Sequence, residues 1–232
     1  MEIFSEHTTD FQSGVIIPVN KDLDWTSFDV VNKIRYLLKY KRDIQKIKVG
    51  HAGTLDPKAS GVLIVCTGKA TKQISSLQIQ KKTYSAKLKF GETTPSFDSE
   101  TEVDKSYPFE HITREAIEQI IPNFVGNISQ IPPAYSALHV NGKRAYNLAR
   151  SGKMPELKTR KVVIDRIDIT SFKLPYLELS ITCHTGTYVR SLVRDIGIAL
   201  ESGAWMQALI RESSGDFHIK SAFTIEELKD MI

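Results

Sequence analysis

Residues 61–67, Gly-Val-Leu-Ile-Val-Cys-Thr, form an almost unbroken apolar run. A half-exposed strand would alternate polar and apolar residues, so this run predicts a strand covered on both faces. Residues from Thr83 onward follow the other rule: Tyr84, Ala86, Leu88 and Phe90 alternate with Ser85, Lys87 and Lys89, as in a strand with one wet face. Residues 14–20 read as a short strand, and further strands are expected at about 162–171 and 176–184. Helical spacing appears at Val30, Val31, Ile34, Leu37 and Leu38 behind a cap at Thr26 or Ser27, with Lys33, Arg35 and Lys39 off the stripe. It recurs at Ile117, Ile120 and Ile121 after Thr113, where Pro122 ends the element. A helix over about 187–201 places Val189, Leu192, Val193, Ile196 and Leu200 on one side, with Gly203 just beyond it. The last helix starts at Thr224, with Glu227 completing a capping box. Residues 91–111 read as a loop, and 130–161 as a protruding basic insertion. Together these elements make a mixed α/β chain with alternating strands and peripheral helices.

Composition narrows the function. At 232 residues and 41% apolar side chains the chain can bury a proper core. No apolar run reaches the roughly 18 residues of a membrane helix, and the start MEIFSEHTTD is unlike a secretory signal. A soluble, cytoplasmic protein is expected, with no membrane partner. Cys66 and Cys183 stand apart in apolar contexts, so no metal or redox CxxC spacing exists and buried free thiols are expected. The net charge of +4 hides a segregated field: 33–48 holds seven Lys/Arg against Asp43, and 143–161 seven against Glu156. The remaining chain carries 17 basic and 25 acidic residues. Such segregation predicts salt-sensitive association with nucleic acid, although two solvated lysine-rich faces would give the same counts.

The segment His51–Leu63, HAGTLDPKASGVL, sets one carboxylate, Asp56, in a turn bounded by Gly53 and Pro57. Glycine opens conformations closed to other residues, and proline pushes the preceding residue away from helix, so the carboxylate is presented on a loop. Capping of a turn is the plainer reading of an Asp-Pro pair. The Gly68-Lys69-Ala70-Thr71 stretch lacks the glycine spacing of a P-loop.

The longer pattern, Lys48 to Pro57 with Ala59, Gly61-Val62-Leu63 and Gly68-Lys69-Ala70-Thr71-Lys72, resembles the central motif of the TruB family of tRNA pseudouridine synthases. Three further blocks follow in family order: Lys82-Thr83-Tyr84, Pro133-Ala134-Tyr135-Ser136-Ala137-Leu138 with Gly142-Lys143, and Gly186-Thr187-Tyr188-Val189-Arg190-Ser191-Leu192. The resemblance spans roughly residues 14–228 and implies an α+β pseudouridine synthase fold. That fold has a mixed, largely antiparallel central sheet, peripheral helices and an inserted thumb, as a single catalytic domain over 1–232. It implies isomerisation of the T-loop uridine at tRNA position 55 by base flipping, without metal or cofactor.

By the same resemblance Asp56 attacks C6 of the base or C1′ of the sugar, Arg190 pairs with it, and Tyr84 stacks on the flipped base. His51 helps hold the RNA loop open; Tyr188 and Leu209 line the pocket; Lys21, Lys72, Lys143 and Arg144 serve substrate binding. The implied partner is the tRNA T arm, met by a monomer that needs no protein partner. Two departures stand out. Lys21-Asp22-Leu23-Asp24-Trp25-Thr26-Ser27 replaces the family's Lys-Pro-x-Gly before Thr-Ser, and Pro95 stands where aspartate is common, although Asp98 fits. The chain is also expected to lack the C-terminal PUA domain of many relatives. A synthase for another RNA, and a non-catalytic RNA-binding or RNA-folding protein on the same scaffold, are the competing readings.

Overall fold

The computed structural model describes residues 2–140, 142–153 and 155–232. Residues 141 and 154, within the insertion expected at 130–161, lie outside the described residues. The fold is mixed α+β with a large, mostly antiparallel sheet. The chain divides into two compact units, one of residues 1–84 with 210–232 and the other of 85–209. No helix among the described residues is long and apolar enough to cross a membrane.

In the first unit the strand Ala59–Thr67 pairs antiparallel with Val15–Lys21, from Ile16 opposite Cys66 to Lys21 opposite Gly61. It also pairs with Val49–Ala52, which sets His51 opposite Val65. The apolar run is explained by what covers each face. Leu63 and Val65 pack with Ile17, Val19 and the inner stripe Val30, Val31, Ile34, Leu37 and Leu38 of the helix Ser27–Lys41, together with Ile225 and Leu228. Val62, Ile64 and Cys66 face the other way, against Ile16, Ala52, Ala70 and Leu77. Each such aliphatic side chain contributes about 1.5–3 kcal/mol on burial, so neither face tolerates a polar residue.

The helix ends are satisfied locally. The Thr26 hydroxyl accepts from the Asp29 N–H at 3.0 Å, and the Asp29 carboxylate accepts from the Thr26 N–H at 2.8 Å. Thr26 is therefore the cap, which frees the buried Ser27 hydroxyl for another contact. Thr224 and Glu227 form the same box on Ile225–Met231. Arg42 donates to the Met231 carbonyl at 2.9 Å, at the end where helix carbonyls lack partners.

In the second unit Arg160–Lys173 pairs antiparallel with Tyr176–Cys183 and, on its other edge, with Gly126–Gln130. Leu177, Leu179, Ile181 and Cys183 are buried in alternation, and the helix Val189–Ala199 buries Val189, Leu192, Val193 and Ile196. Residues 91–111 are more ordered than a plain loop, since Glu92–Thr93 pairs with Lys105–Ser106. The insertion likewise holds a small ladder, His139–Val140 against Lys143–Arg144, and the helix Ala145–Arg150.

Among the described strands of four residues or more, three were not foreseen: Val49–Ala52, Gly126–Gln130 and Ala204–Ser214. The last, AWMQALIRESS, is rich in helix formers, and its buried positions shift phase between Met206 and Leu209. Neighbouring strands, not local preference, hold it extended.

Candidate active site

Asp56 lies in the connection 53–58 between the strands Val49–Ala52 and Ala59–Thr67. Gly53 starts the connection at φ +92°, a left-handed value that suits glycine. The Ala59 N–H donates to the Asp56 carbonyl at 3.1 Å, so the Asp-Pro turn foreseen for this residue is formed. Two buried side chains fix the loop from behind. The Ser27 hydroxyl accepts from the Leu55 N–H at 2.9 Å and donates to the Leu55 carbonyl at 3.0 Å, pinning the residue before Asp56 to the start of a helix. Arg211, 1% exposed, donates from Nε to the Val62 carbonyl at 2.6 Å, from Nη2 to Gly53 at 3.1 Å and from Nη1 to Thr54 at 3.4 Å. Its backbone lies so close to the strand that a Cβ on Gly61 would sit 2.4 Å from the Arg211 carbonyl oxygen.

The charges around this loop act on one another. Lys21 is fully buried, and its ammonium donates to the carbonyls of Asp22 at 2.8 Å and Trp25 at 2.6 Å. Burial brings its pKa down to about 8, against the opposing pull of the Asp56 carboxylate and, more weakly, Asp22. Lys21 thus puts a largely protonated ammonium into the electrostatic field of Asp56 at neutral pH. His51 is held below its ordinary pKa by burial and by the Arg211 charge, so it is neutral there. Its Nδ1 makes no hydrogen bond among the described residues.

The unusual block after Lys21 now has a structural account. Asp24 adopts φ +64°, at the position where the family pattern has glycine, and aspartate is one of the few residues that tolerates this region. Its N–H donates to the Pro57 carbonyl at 2.9 Å and its carboxylate meets Lys58 at 2.7 Å. The segment therefore docks onto the Asp56 loop despite its altered residues.

In the second unit Arg190, 3% exposed, sits on the first turn of Val189–Ala199. Its guanidinium donates to the carbonyls of Ser96 at 3.1 Å and Tyr135 at 2.9 Å and lies 3.4 Å from the buried Asp98 carboxylate. Asp98, on the segment where Pro95 departs from pattern, is itself tied to the Glu100 N–H at 2.9 Å. The Gln130 amide accepts from the Tyr188 N–H at 3.1 Å and donates to the Tyr188 carbonyl at 3.4 Å, fixing the residue that caps this helix. Leu209 is buried on Ala204–Ser214. Tyr84 is half-buried on Lys82–Phe90, on the same strand face as Ala86, Leu88 and Phe90. Lys143 and Arg144 are exposed in the insertion's ladder.

Lys21, His51 and Asp56 thus share the first unit, where Lys21 and Asp56 interact electrostatically. Lys72 stands apart, exposed on the turn Gly68–Gln73 beyond the far end of the Ala59–Thr67 strand. Sequence reasoning missed Ser27 and Arg211 as loop supports. The only signal was a lone arginine between apolar residues in Ala208-Leu209-Ile210-Arg211 and a second hydroxyl beside a helix cap.

Comparison with known proteins gives the chain's family. Residues 40–189 match the model of the TruB family pseudouridylate synthase N-terminal domain, and residues 190–232 the tRNA pseudouridylate synthase B C-terminal domain. The chain is 53% identical over 223 residues to a protein of Parabacteroides distasonis named tRNA pseudouridine synthase B, covering 96% of this chain and 95% of that one. A namesake from Clostridium kluyveri is 46% identical over 213 residues, covering 92% of this chain and 71% of the relative. Among solved structures, a chain of a Cbf5-Nop10-Gar1 complex superposes with TM-score 0.72 at 30% identity, covering 95% of this chain and 54% of that one. The present chain therefore spans about half the length of that neighbour. With family models matched across 40–232 and half of all residues shared with relatives of nearly equal length, the chain belongs to the TruB family of pseudouridylate synthases.

Proposed function

We propose that this chain is a tRNA pseudouridine synthase that isomerises the T-loop uridine at position 55. One observation carries the reading in this molecule: the Asp56 carboxylate stands on a loop whose backbone is clamped by buried Ser27 and Arg211 and whose field includes the buried Lys21 ammonium. Such a frame presents a carboxylate in one orientation, as nucleophilic chemistry requires.

The reaction breaks the bond from N1 to C1′, turns the uracil and joins C5 to C1′. C5 loses its proton and N1 gains one, so the step is redox neutral. The Asp56 carboxylate attacks C6 or C1′, and Arg190 is the cation assigned to pair with it and orient it, by family resemblance. Tyr84 stacks on the extruded base, whose unstacking costs a few kcal/mol. Neutral His51 inserts at the opened RNA loop, and Tyr188 and Leu209 line the base pocket. Lys143 and Arg144, exposed on the insertion, meet phosphates. The partner is the tRNA T arm, the chain acts as a monomer without a protein partner, and its place is the cytoplasm.

Release of tritium from C5-labelled uridine in a T stem-loop RNA tests the reading. It requires release by the unaltered chain, none with Asp56→Asn, and none when cytidine replaces the target. Tight, salt-sensitive binding without release would instead favour a non-catalytic RNA-binding protein or a synthase with a different target RNA.

A further inference from the structure

The turn 94–98 supplies two of the groups that hold Arg190, the Ser96 carbonyl and the Asp98 carboxylate. Between them Phe97 adopts φ +64°, a left-handed backbone that glycine occupies freely and a bulky side chain rarely does. A large residue persists there only where its surroundings hold it. Arg194 supplies such a hold, with its guanidinium carbon 4.9 Å over the centre of the Phe97 ring. That guanidinium is itself fixed, donating from Nε at 2.8 Å and from Nη2 at 2.6 Å to one carboxylate oxygen of Asp195. With only 17% of its side chain exposed, Arg194 makes a partly desolvated cation–π contact, which is the stronger kind.

Arg190 and Arg194 stand four residues apart on Val189–Ala199, hence on one face of that helix and one turn from each other. The same piece of chain is therefore gripped at two levels, Ser96 by Arg190 and Phe97 by Arg194. The other bonds of the turn serve its own shape and its seat on the sheet. The Phe97 N–H donates to the Thr94 carbonyl at 3.1 Å, the Thr94 hydroxyl to the Asp98 carbonyl at 2.7 Å, and the Met206 N–H to the Phe97 carbonyl at 2.9 Å. The Phe97 ring differs from these in joining the turn to the helix without running through Arg190. A guanidinium that also has to engage a reacting carboxylate needs acceptors that stay in place when its own contacts change, and this link keeps them there.

We infer that Phe97, clamped by Arg194, is a positioning residue for Arg190. The inference rests on the reading of Arg190 as the cation that pairs with Asp56, and extends it to two residues that act through it. Arg190 bears on the orientation of the reacting carboxylate, so loss of the clamp lowers kcat and leaves RNA affinity unchanged.

The test uses the full chain carrying Phe97→Gly, Phe97→Ala or Phe97→Tyr, read by tritium release from the T stem-loop and by RNA binding. Glycine and alanine both remove the ring, but only glycine fits the left-handed backbone without strain, so Phe97→Gly has the higher thermal midpoint of the two. In both, kcat falls alike by about tenfold while KM and RNA affinity hold. Phe97→Tyr keeps a ring for Arg194 to cover and recovers kcat; a groove of about 660 Å³ lined by Phe97 leaves room for the added hydroxyl. Activity that follows the thermal midpoint, a rise in KM in place of a fall in kcat, or a tyrosine variant as impaired as the glycine one would overturn the inference. The Arg190 Nε–H signal in the NMR spectrum of chain labelled with nitrogen-15 arginine decides the clamp without turnover. It broadens in Phe97→Gly and stays sharp in Phe97→Tyr, and an unchanged signal in both also overturns the inference. A signal that responds as expected in a chain that releases no tritium would sink the catalytic reading while leaving the clamp on Arg190 standing.

Discussion

Replacing Arg211 by methionine removes the guanidinium that holds the Asp56 loop from behind while keeping an apolar stem of similar length. Two of its three hydrogen bonds have ordinary lengths, 2.6 Å to Val62 and 3.1 Å to Gly53, and the third, at 3.4 Å to Thr54, is weak. A hydrogen bond to a charged group contributes about 1.5–3 kcal/mol, and the carbonyls left behind are unpaired in a site 1% exposed. Relief from burying a charge offsets part of this, so Arg211→Met is expected to cost about 3–4 kcal/mol. Urea unfolding followed by intrinsic fluorescence reads the loss. With a denaturant slope of about 1–3 kcal/mol per molar, the midpoint moves down by 1 M or more. Arg211→Lys keeps a point charge but not the fork that reaches three carbonyls, so it recovers about half of the loss. At saturating T stem-loop RNA under conditions where Arg211→Lys is folded, kcat falls at least tenfold, because the loop no longer presents Asp56 in one orientation. A midpoint shift below about 0.3 M for the methionine variant, or a lysine variant with unaltered kcat, would refute the clamp.

Ser27→Ala strips both hydrogen bonds from Leu55, and the stranded N–H and carbonyl cost about 1–3 kcal/mol, read as a lower urea midpoint with a parallel fall in kcat. Gly61→Ala places a Cβ at φ +102° and 2.4 Å from the Arg211 carbonyl oxygen, so the chain loses about 3 kcal/mol or more and shows a lower thermal midpoint. Lys21 has a folded pKa of about 8, below its ordinary 10.5, so the unfolded chain binds more protons between these values and the residue's contribution to stability rises with pH across that window. The stability of the unaltered chain relative to Lys21→Met is therefore expected to increase by about 1 kcal/mol between pH 8 and pH 9, and a flat difference would show that Lys21 titrates normally.

The elements read best in advance were those whose local pattern and tertiary role coincide. The helix Ser27–Lys41 carries its stripe, its cap and its core contacts in one stretch, and the strand Ala59–Thr67 announces in its composition that both faces are covered. The capping box at Thr224 is a contact between residues three apart, so spacing alone reveals it. The strand Ala204–Ser214 was illegible because its residues favour helix and only pairing with distant strands overrides them. The same limit applied to the site. Four ordered motif blocks named Asp56, Tyr84 and Arg190, but nothing in them indicated which side chains stand behind the Asp56 loop.

By itself, then, the sequence determined the family and those elements whose pattern is local, and it named the residues expected to bear the chemistry, because periodicity, capping and motif spacing act over a few positions. The tertiary structure alone decided the supports: that Ser27 reaches Leu55 across 28 positions and that Arg211 reaches Gly53 across 158. Such contacts depend on where distant segments meet in the packed chain, and local pattern carries no record of that meeting.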